Sequence, residues 1–236
     1  MGLIASIHQP NFFPWLGYFH KLIRSDVFVF FDDVQLPMGK NFVTRVLVNG
    51  VNGPQFIHPV TLSAPSDAKI CEVPVNPDFF WKKKLLKTLE FNYRKATYFA
   101  EVFPTLSNWL LQDESPNLAV FNASAIQWAA SWLQAPTRFV FSSNLKAGSA
   151  LTGSERIEQI LLELKATHYI SGKGEGSLRY IRNEWFHDNH IELEMESFVH
   201  PEYPQGRGAF VPGLSILDLL FYHGRDSAAF LLHKPS

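Results

Sequence analysis

The 236-residue chain is 46% apolar and carries 21 Lys and Arg against 22 Asp and Glu, for a formal charge of −1. That length and apolar content close the core of a substantial globular unit, and the near-neutral balance excludes a global field drawing the chain to nucleic acid or to an anionic membrane, so any polyanion contact has to be local. Cys71 is the only cysteine; this excludes an internal disulfide framework and a Cys-based zinc site and makes the reducing cytoplasm the expected compartment. No run of ~18 uncharged apolar residues occurs, so no membrane span is expected, and the first residues lack the basic and long apolar regions of a secretory signal.

In chain order, Leu3 to Ile7 and Val27 to Phe31 are short apolar runs, stopped by His8-Gln9-Pro10 and by Asp32-Asp33. Both read as strands buried on two faces, the pattern of a parallel sheet. Trp15 to Arg24 fits a helix between them, giving a βαβ unit with a right-handed crossover. Asn41 to Val48 and Gln55 to Leu62 alternate around Asn49-Gly50-Val51-Asn52-Gly53 and read as a β-hairpin. Helices are expected over Phe79–Tyr93, Tyr98–Leu111 and Asn117–Leu133, with Pro104, Pro116 and Pro136 marking first turns or stops. The α/β alternation returns with a strand at Arg138–Phe141, a helix at Ser154–Leu164 and a strand at Thr167–Ile170. The expected fold is α/β, a Rossmann-like parallel sheet with flanking helices, a β-hairpin and a helical insertion. It is read as one domain over residues 1–236, with core strands in 1–35 and 137–236 and the insertion at 41–135. Near the C-terminus, Leu214, Leu217, Leu220 and Phe221 form an apolar stripe expected in the core.

Ligands of open α/β sheets sit beyond the carboxyl ends of the strands, where the strand order reverses. Three segments qualify: His8-Gln9-Pro10, Asp32-Asp33 and Ser171-Gly172-Lys173-Gly174-Glu175-Gly176-Ser177. A glycine-rich loop running into a helix-like Ser177–Ile181 offers backbone N–H groups to an anion that Lys173 and Arg179 neutralise, although no Walker A pattern is present. Asp32 or Asp33 suits ribose or magnesium; the plainer alternative is that both form turns and caps. His8 emerges where substrate would lie. His187 and His190 are three apart but read as a solvated turn, and no metal is expected there. No GxSxG elbow accompanies Cys71, so hydrolase chemistry is unsupported. The segment Ser6 to His20 packs two prolines, five aromatics and two histidines into fifteen positions, which reads as a rigid, aromatic-walled binding floor or, failing a ligand, as an aromatic mini-core.

"IHQPNFFPWLGYFHKL", "DVFVFFDDVQ", "THYISGKG", "HPEYPQ" and "FVPGLSILDLLFYHG", in that order over nearly the whole chain, resemble the WbqC-like protein family. That resemblance implies a place in bacterial surface-polysaccharide or related small-molecule biosynthesis. More distantly, Trp15-Leu16-Gly17-Tyr18 is similar in placement to the HxGH tetrapeptide of the nucleotidylyltransferase and pantothenate synthetase superfamily. Gly17 matches its glycine, while Trp15 and Tyr18 replace its histidines, with His8 or His20 as compensation. Together these readings imply ATP, with magnesium, activating a carboxylate for amide formation on an amino sugar or similar amine. The alternatives are nucleotidylyl transfer to a sugar phosphate, acyl or aminoacyl transfer from a preactivated donor, and non-catalytic binding of a sugar or nucleotide. His8 and Lys173 are the expected catalytic groups; Gln9, Trp15, Gly17, Tyr18, Asp32, Asp33, Ser171, Gly172, Gly174 and Arg179 are the expected binding residues. The expected partner is a small-molecule or nucleotide-sugar substrate, not nucleic acid.

Overall fold

The computed structural model describes residues 2–39, 41–58, 64–65, 67–76, 78–147, 151–206 and 208–232. In chain order the elements are β1 (Ile4–His8), α1 (Leu16–Ile23), β2 (Val27–Phe30), β3 (Val46–Gly50), β4 (Gly53–Ile57), α2 (Phe79–Tyr93), α3 (Phe99–Gln112), α4 (Leu118–Trp132), β5 (Arg138–Phe141), α5 (Gly153–Leu164), β6 (His168–Ser171), α6 (Glu175–Leu178), α7 (Asn183–Asp188), β7 (Glu192–Met195), α8 (Ile216–His223) and α9 (Ser227–Leu232). Five strands form one parallel sheet in the order β5-β2-β1-β6-β7, and β3 and β4 form a separate antiparallel hairpin. The α/β fold read from the sequence is the fold observed.

The period-2 alternation of β1 and β2 explains why the sheet is covered on both faces. Ala5, Ile7, Val27 and Val29 point to one side, into a cluster with Ile157, Ile160 and Leu161 of α5 and Phe186 of α7. Phe28 and Phe30 point to the other, where Leu16, Phe19 and Leu22 of α1 join a larger cluster fed by the hairpin, α2 to α4 and α8. The stripe Leu214, Leu217, Leu220 and Phe221 is fully buried there. Three helices begin on side-chain caps: Asp78 accepts from Phe80 N, Asn117 from Val120 N and Ser215 from Leu217 N, each satisfying an amide the helix leaves free.

Several boundaries differ from the expectation. Residues 41–45 are not strand, because Asn41 Oδ1 accepts from the amides of Val43 and Thr44 and turns the chain. The hairpin therefore closes on Val51-Asn52, and residues 59–62 of its expected second strand lie outside the described residues. Pro104 sits inside α3 rather than in its first turn. His187 and Asp188 end the short helix α7, and Asn189-His190 form the expected, largely exposed turn; α7 itself is not anticipated, because one aromatic, Phe186 stacked on Tyr169 at 5.8 Å, holds a helix too short for periodicity to reveal.

Candidate active site at the strand-order reversal

The turn after β1 is fixed by buried groups from two distant segments. Asn122 of α4 donates to the carbonyls of Pro10 and Val43 at 2.8 and 2.9 Å, Ser215 Oγ donates to Phe13 O at 2.8 Å, and Ile216 N donates to Pro14 O at 2.9 Å. Phe13 takes the left-handed region at φ 41°, an uncommon conformation for a bulky residue that this bonding pattern holds in place. Phe12 and Phe13 enter the core against Phe121, Trp109 and Trp128. The opening stretch thus divides its labour: two phenylalanines are core, while His8, Gln9, Trp15 and Tyr18 face a cleft.

That cleft lies where the sheet order reverses between β1 and β6, and it consists of two hollows sharing His8 and Ser177. One, of about 340 Å³, is walled by Trp15, Gly17, Tyr18, Lys21, the Gly172-Lys173-Gly174 loop, Glu196 and Phe198. The other, of about 320 Å³, is largely apolar, with Ile7, Phe31, Ile157 and Tyr169 beside Gln9 and Arg179. Such a concave, mostly apolar site with a few converging polar groups, at a topological switch point, is where an α/β sheet takes ligands.

The sequence profile of the WbqC-like protein family matches residues 9–230. The chain belongs to that family. A relative, the uncharacterized protein Rv1507c of Mycobacterium tuberculosis, is 30% identical over 229 residues, covering 96% of each chain. No solved structure matches.

In this WbqC-like protein the electrostatics of the first hollow turn on Lys21. Lys21 is only 3% exposed, its ammonium has a long 3.5 Å contact to Ile7 O and lies 5.8 Å from the centre of the Phe28 ring, and burial pulls its pKa down to about 8 against the attraction of Glu196. Burial, and then the Lys21 charge, push His8 down to about 3. His8 is therefore neutral near pH 7. Its Nδ1 lies 3.0 Å from Gln9 O, and since a carbonyl only accepts, Nδ1 carries the proton and Nε2 keeps a lone pair. Tyr18 packs edge-on against this ring at 4.7 Å and donates to the same carbonyl at 3.2 Å, fixing the imidazole. Glu196 is anchored by His20 Nδ1 at 2.7 Å; its other carboxylate oxygen, Oε2, is buried without a hydrogen-bond partner.

Gly17 answers to Trp15. A Cβ at Gly17 would fall 2.3 Å from the far edge of the Trp15 ring, so it is the indole, not a ligand, that approaches α1 closely. Trp15 is 39% exposed and has room to swing out. Gly17→Ala is expected to weaken ligand binding several-fold while lowering the thermal midpoint by only a few degrees, because the clash is with a movable ring at the hollow's wall; paired ligand titration and thermal denaturation check this.

Asp32 and Asp33 are not among the residues lining either hollow. Asp32 accepts from Ser142 Oγ at 3.0 Å, Ser143 N at 3.0 Å and Ser143 Oγ at 2.7 Å. Asp33 takes the Arg156 guanidinium at 2.7 Å and shares the single Ser142 hydroxyl proton with Asp32. Both carboxylates tie the end of β2 to the turn after β5, the capping alternative. Ser171, the last residue of β6, is buried, with its hydroxyl 3.4 Å from Gly172 O. The helix expected at 177–181 is the single turn α6, too short for its end to attract an anion. The structure also separates the two cations the sequence grouped, placing Lys173 in one hollow and Arg179 in the other. Sequence reasoning missed Lys21, Glu196 and Phe198, and took Ser177 only as the end of the Gly-rich segment. Lys21 left a signal: it lies one turn beyond Gly17 on the apolar stripe of α1, where a solvated cation has no place.

Proposed function

We propose that this WbqC-like protein activates a small carboxylate with a nucleoside triphosphate, ATP in the first instance, and passes the acyl group to an amine such as an amino sugar. The observation that carries the reading is the pair of hollows meeting at His8, with Lys21 and Lys173 in one and Arg179 beside apolar walls in the other. Phosphate oxygens suit the first hollow, where a desolvated ammonium gains most from an anion. A carboxylate held by Arg179 in the second hollow faces the α-phosphorus across His8. Its attack forms a C–O–P link as pyrophosphate leaves with the P–O electron pair. An amine, oriented by a hydrogen bond donated to the neutral His8 Nε2, then attacks the acyl carbon, the nucleoside monophosphate leaves with the C–O pair, and the surplus amine proton leaves to water. Positioning and charge neutralisation supply most of the rate. The distant likeness to the nucleotidylyltransferase and pantothenate synthetase superfamily supports the same reading: Gly17 keeps the place of that motif's glycine, and Lys21 on the same helix supplies a charge that Trp15 and Tyr18 do not. Asp32 and Asp33 do not fit magnesium, since Ser142, Ser143 and Arg156 occupy their oxygens, and no step is assigned to the metal.

The test is an equilibrium titration with ATP. Lys173 is exposed in its loop, so Lys173→Ala is expected to weaken ATP roughly 10- to 150-fold, the worth of one charge-assisted contact, while barely moving stability. Equal affinity in wild type and variant, or no ATP binding by either, sinks the triphosphate reading. Binding of an acyl thioester donor instead would point to transfer from a preactivated donor.

A further inference from the structure

We propose that the outward face of α2, together with the tip of the β3–β4 hairpin, docks this protein on an anionic lipid bilayer. The inner face of α2 is ordinary core, with Leu85, Leu86, Leu89 and Tyr93 buried. Its outer face is not an ordinary solvated face. At helical spacing it presents Phe80, Lys84, Lys87 and Phe91, with Phe80 76% and Phe91 58% exposed. A single exposed phenylalanine needs no explanation; two on one stripe, about 16 Å apart at 1.5 Å per residue and separated by lysines, do.

Charge complementarity names the occupant. Over residues 79–95 the exposed ionisable groups are Lys83, Lys84, Lys87, Arg94 and Lys95 against Glu90 alone, in a chain of net charge −1. Beside the stripe, Lys84, Lys87 and Phe91 share a shallow hollow of about 660 Å³ with the hairpin turn at Val51-Asn52, and Val51 and Phe56 on the hairpin are each 42% exposed. A lipid phosphate fits between the two lysines while the phenylalanines enter the headgroup boundary, the division of labour of an interfacial helix. A nucleic acid fits less well, since stacking needs successive bases seated between rings, whereas Phe80 and Phe91 stand about 16 Å apart with lysines between them and only Phe91 lines the hollow. No helix among the described residues is long and apolar enough to span a membrane, so the attachment is peripheral and reversible.

Flotation of the full-length protein with phosphatidylcholine vesicles containing one-third phosphatidylglycerol tests this, with pure phosphatidylcholine vesicles as the reference. The protein is expected to float with the anionic vesicles at low salt, to release at high salt, and to ignore neutral vesicles. Lys84→Gln with Lys87→Gln should lower partitioning ~30-fold, and Phe80→Ser with Phe91→Ser ~10-fold or more, with unchanged circular dichroism because all four side chains are exposed. Absence of flotation at low salt, equal flotation with neutral vesicles, or a lysine pair variant that floats as well as wild type overturns the proposal. Retention of the protein on a single-stranded oligonucleotide without vesicle binding would overturn it in favour of a nucleic-acid face.

Discussion

Replacing Lys21 with methionine is expected to weaken nucleotide binding roughly 10- to 150-fold and, at the same time, to raise the unfolding free energy near pH 7. The two effects share a cause. The Lys21 ammonium is buried with one 3.5 Å contact, and its pKa falls from 10.5 to about 8. At ~1.4 kcal/mol per tenfold change in proton affinity, the charged form costs the folded state on the order of 3 kcal/mol. Part of that is lost with the Ile7 contact, so a net gain of ~1–2 kcal/mol is expected. The sign is fixed by linkage: a folded pKa below the unfolded value leaves the penalty complete below pH 8 and relieves it as pH rises to 10.5. Wild-type stability should therefore climb over that interval, and the variant should not share the climb. Urea unfolding at pH 7 and pH 10 reads both. A Lys21→Met protein less stable than wild type at pH 7 would mean that the ammonium is well paired in the free protein and is not held in reserve for an anion.

The second expected result is a stability profile between about pH 4 and pH 6.5 whose slope changes in opposite directions when either of two buried groups is removed. Asp218, on the buried face of α8, accepts from Tyr93 at 3.0 Å and from Tyr203 at 3.1 Å, and burial raises its pKa from 3.8 to about 7 in spite of both bonds. The native state thus binds the extra proton between these values, and stability falls as pH rises through them. His8 does the reverse. Its pKa drops from 6.5 to about 3, the unfolded chain binds the extra proton in that interval, and stability rises with pH. Each limb is worth ~3–4 kcal/mol, trimmed for His8 because its ring faces a hollow open to water. Asp218→Asn should expose the rising limb and His8→Gln the falling one, both read from urea midpoints at pH 4, 5, 6 and 7. Parallel shifts of the whole profile, with no change of slope, would show that neither group titrates in that range.

The site and the fold were legible in the sequence to different degrees. The all-apolar runs ending in His8-Gln9 and Asp32-Asp33 disclosed β1 and β2 because strands buried on two faces admit no polar alternation. Apolar pattern, with prolines at the stops, located α2, α4 and α5 to within a residue or two. His8, Gly17, Tyr18 and Lys173 converge as a strand-end rule anticipates.

What the tertiary structure alone decided is the use of each polar group. Asp32 and Asp33 look like ligands in the sequence because a strand-end carboxylate suits both a ribose and a cap; only the arrival of Ser142, Ser143 and Arg156, more than 100 residues away, consumes their oxygens. The spacing of α1 sets Lys21 on the apolar stripe, but only the closing of β1 and Glu196 around it lowers its proton affinity by burial. Sequence spacing specifies which face of an element a residue occupies, whereas desolvation and hydrogen bonding depend on what packs against that face from elsewhere in the chain.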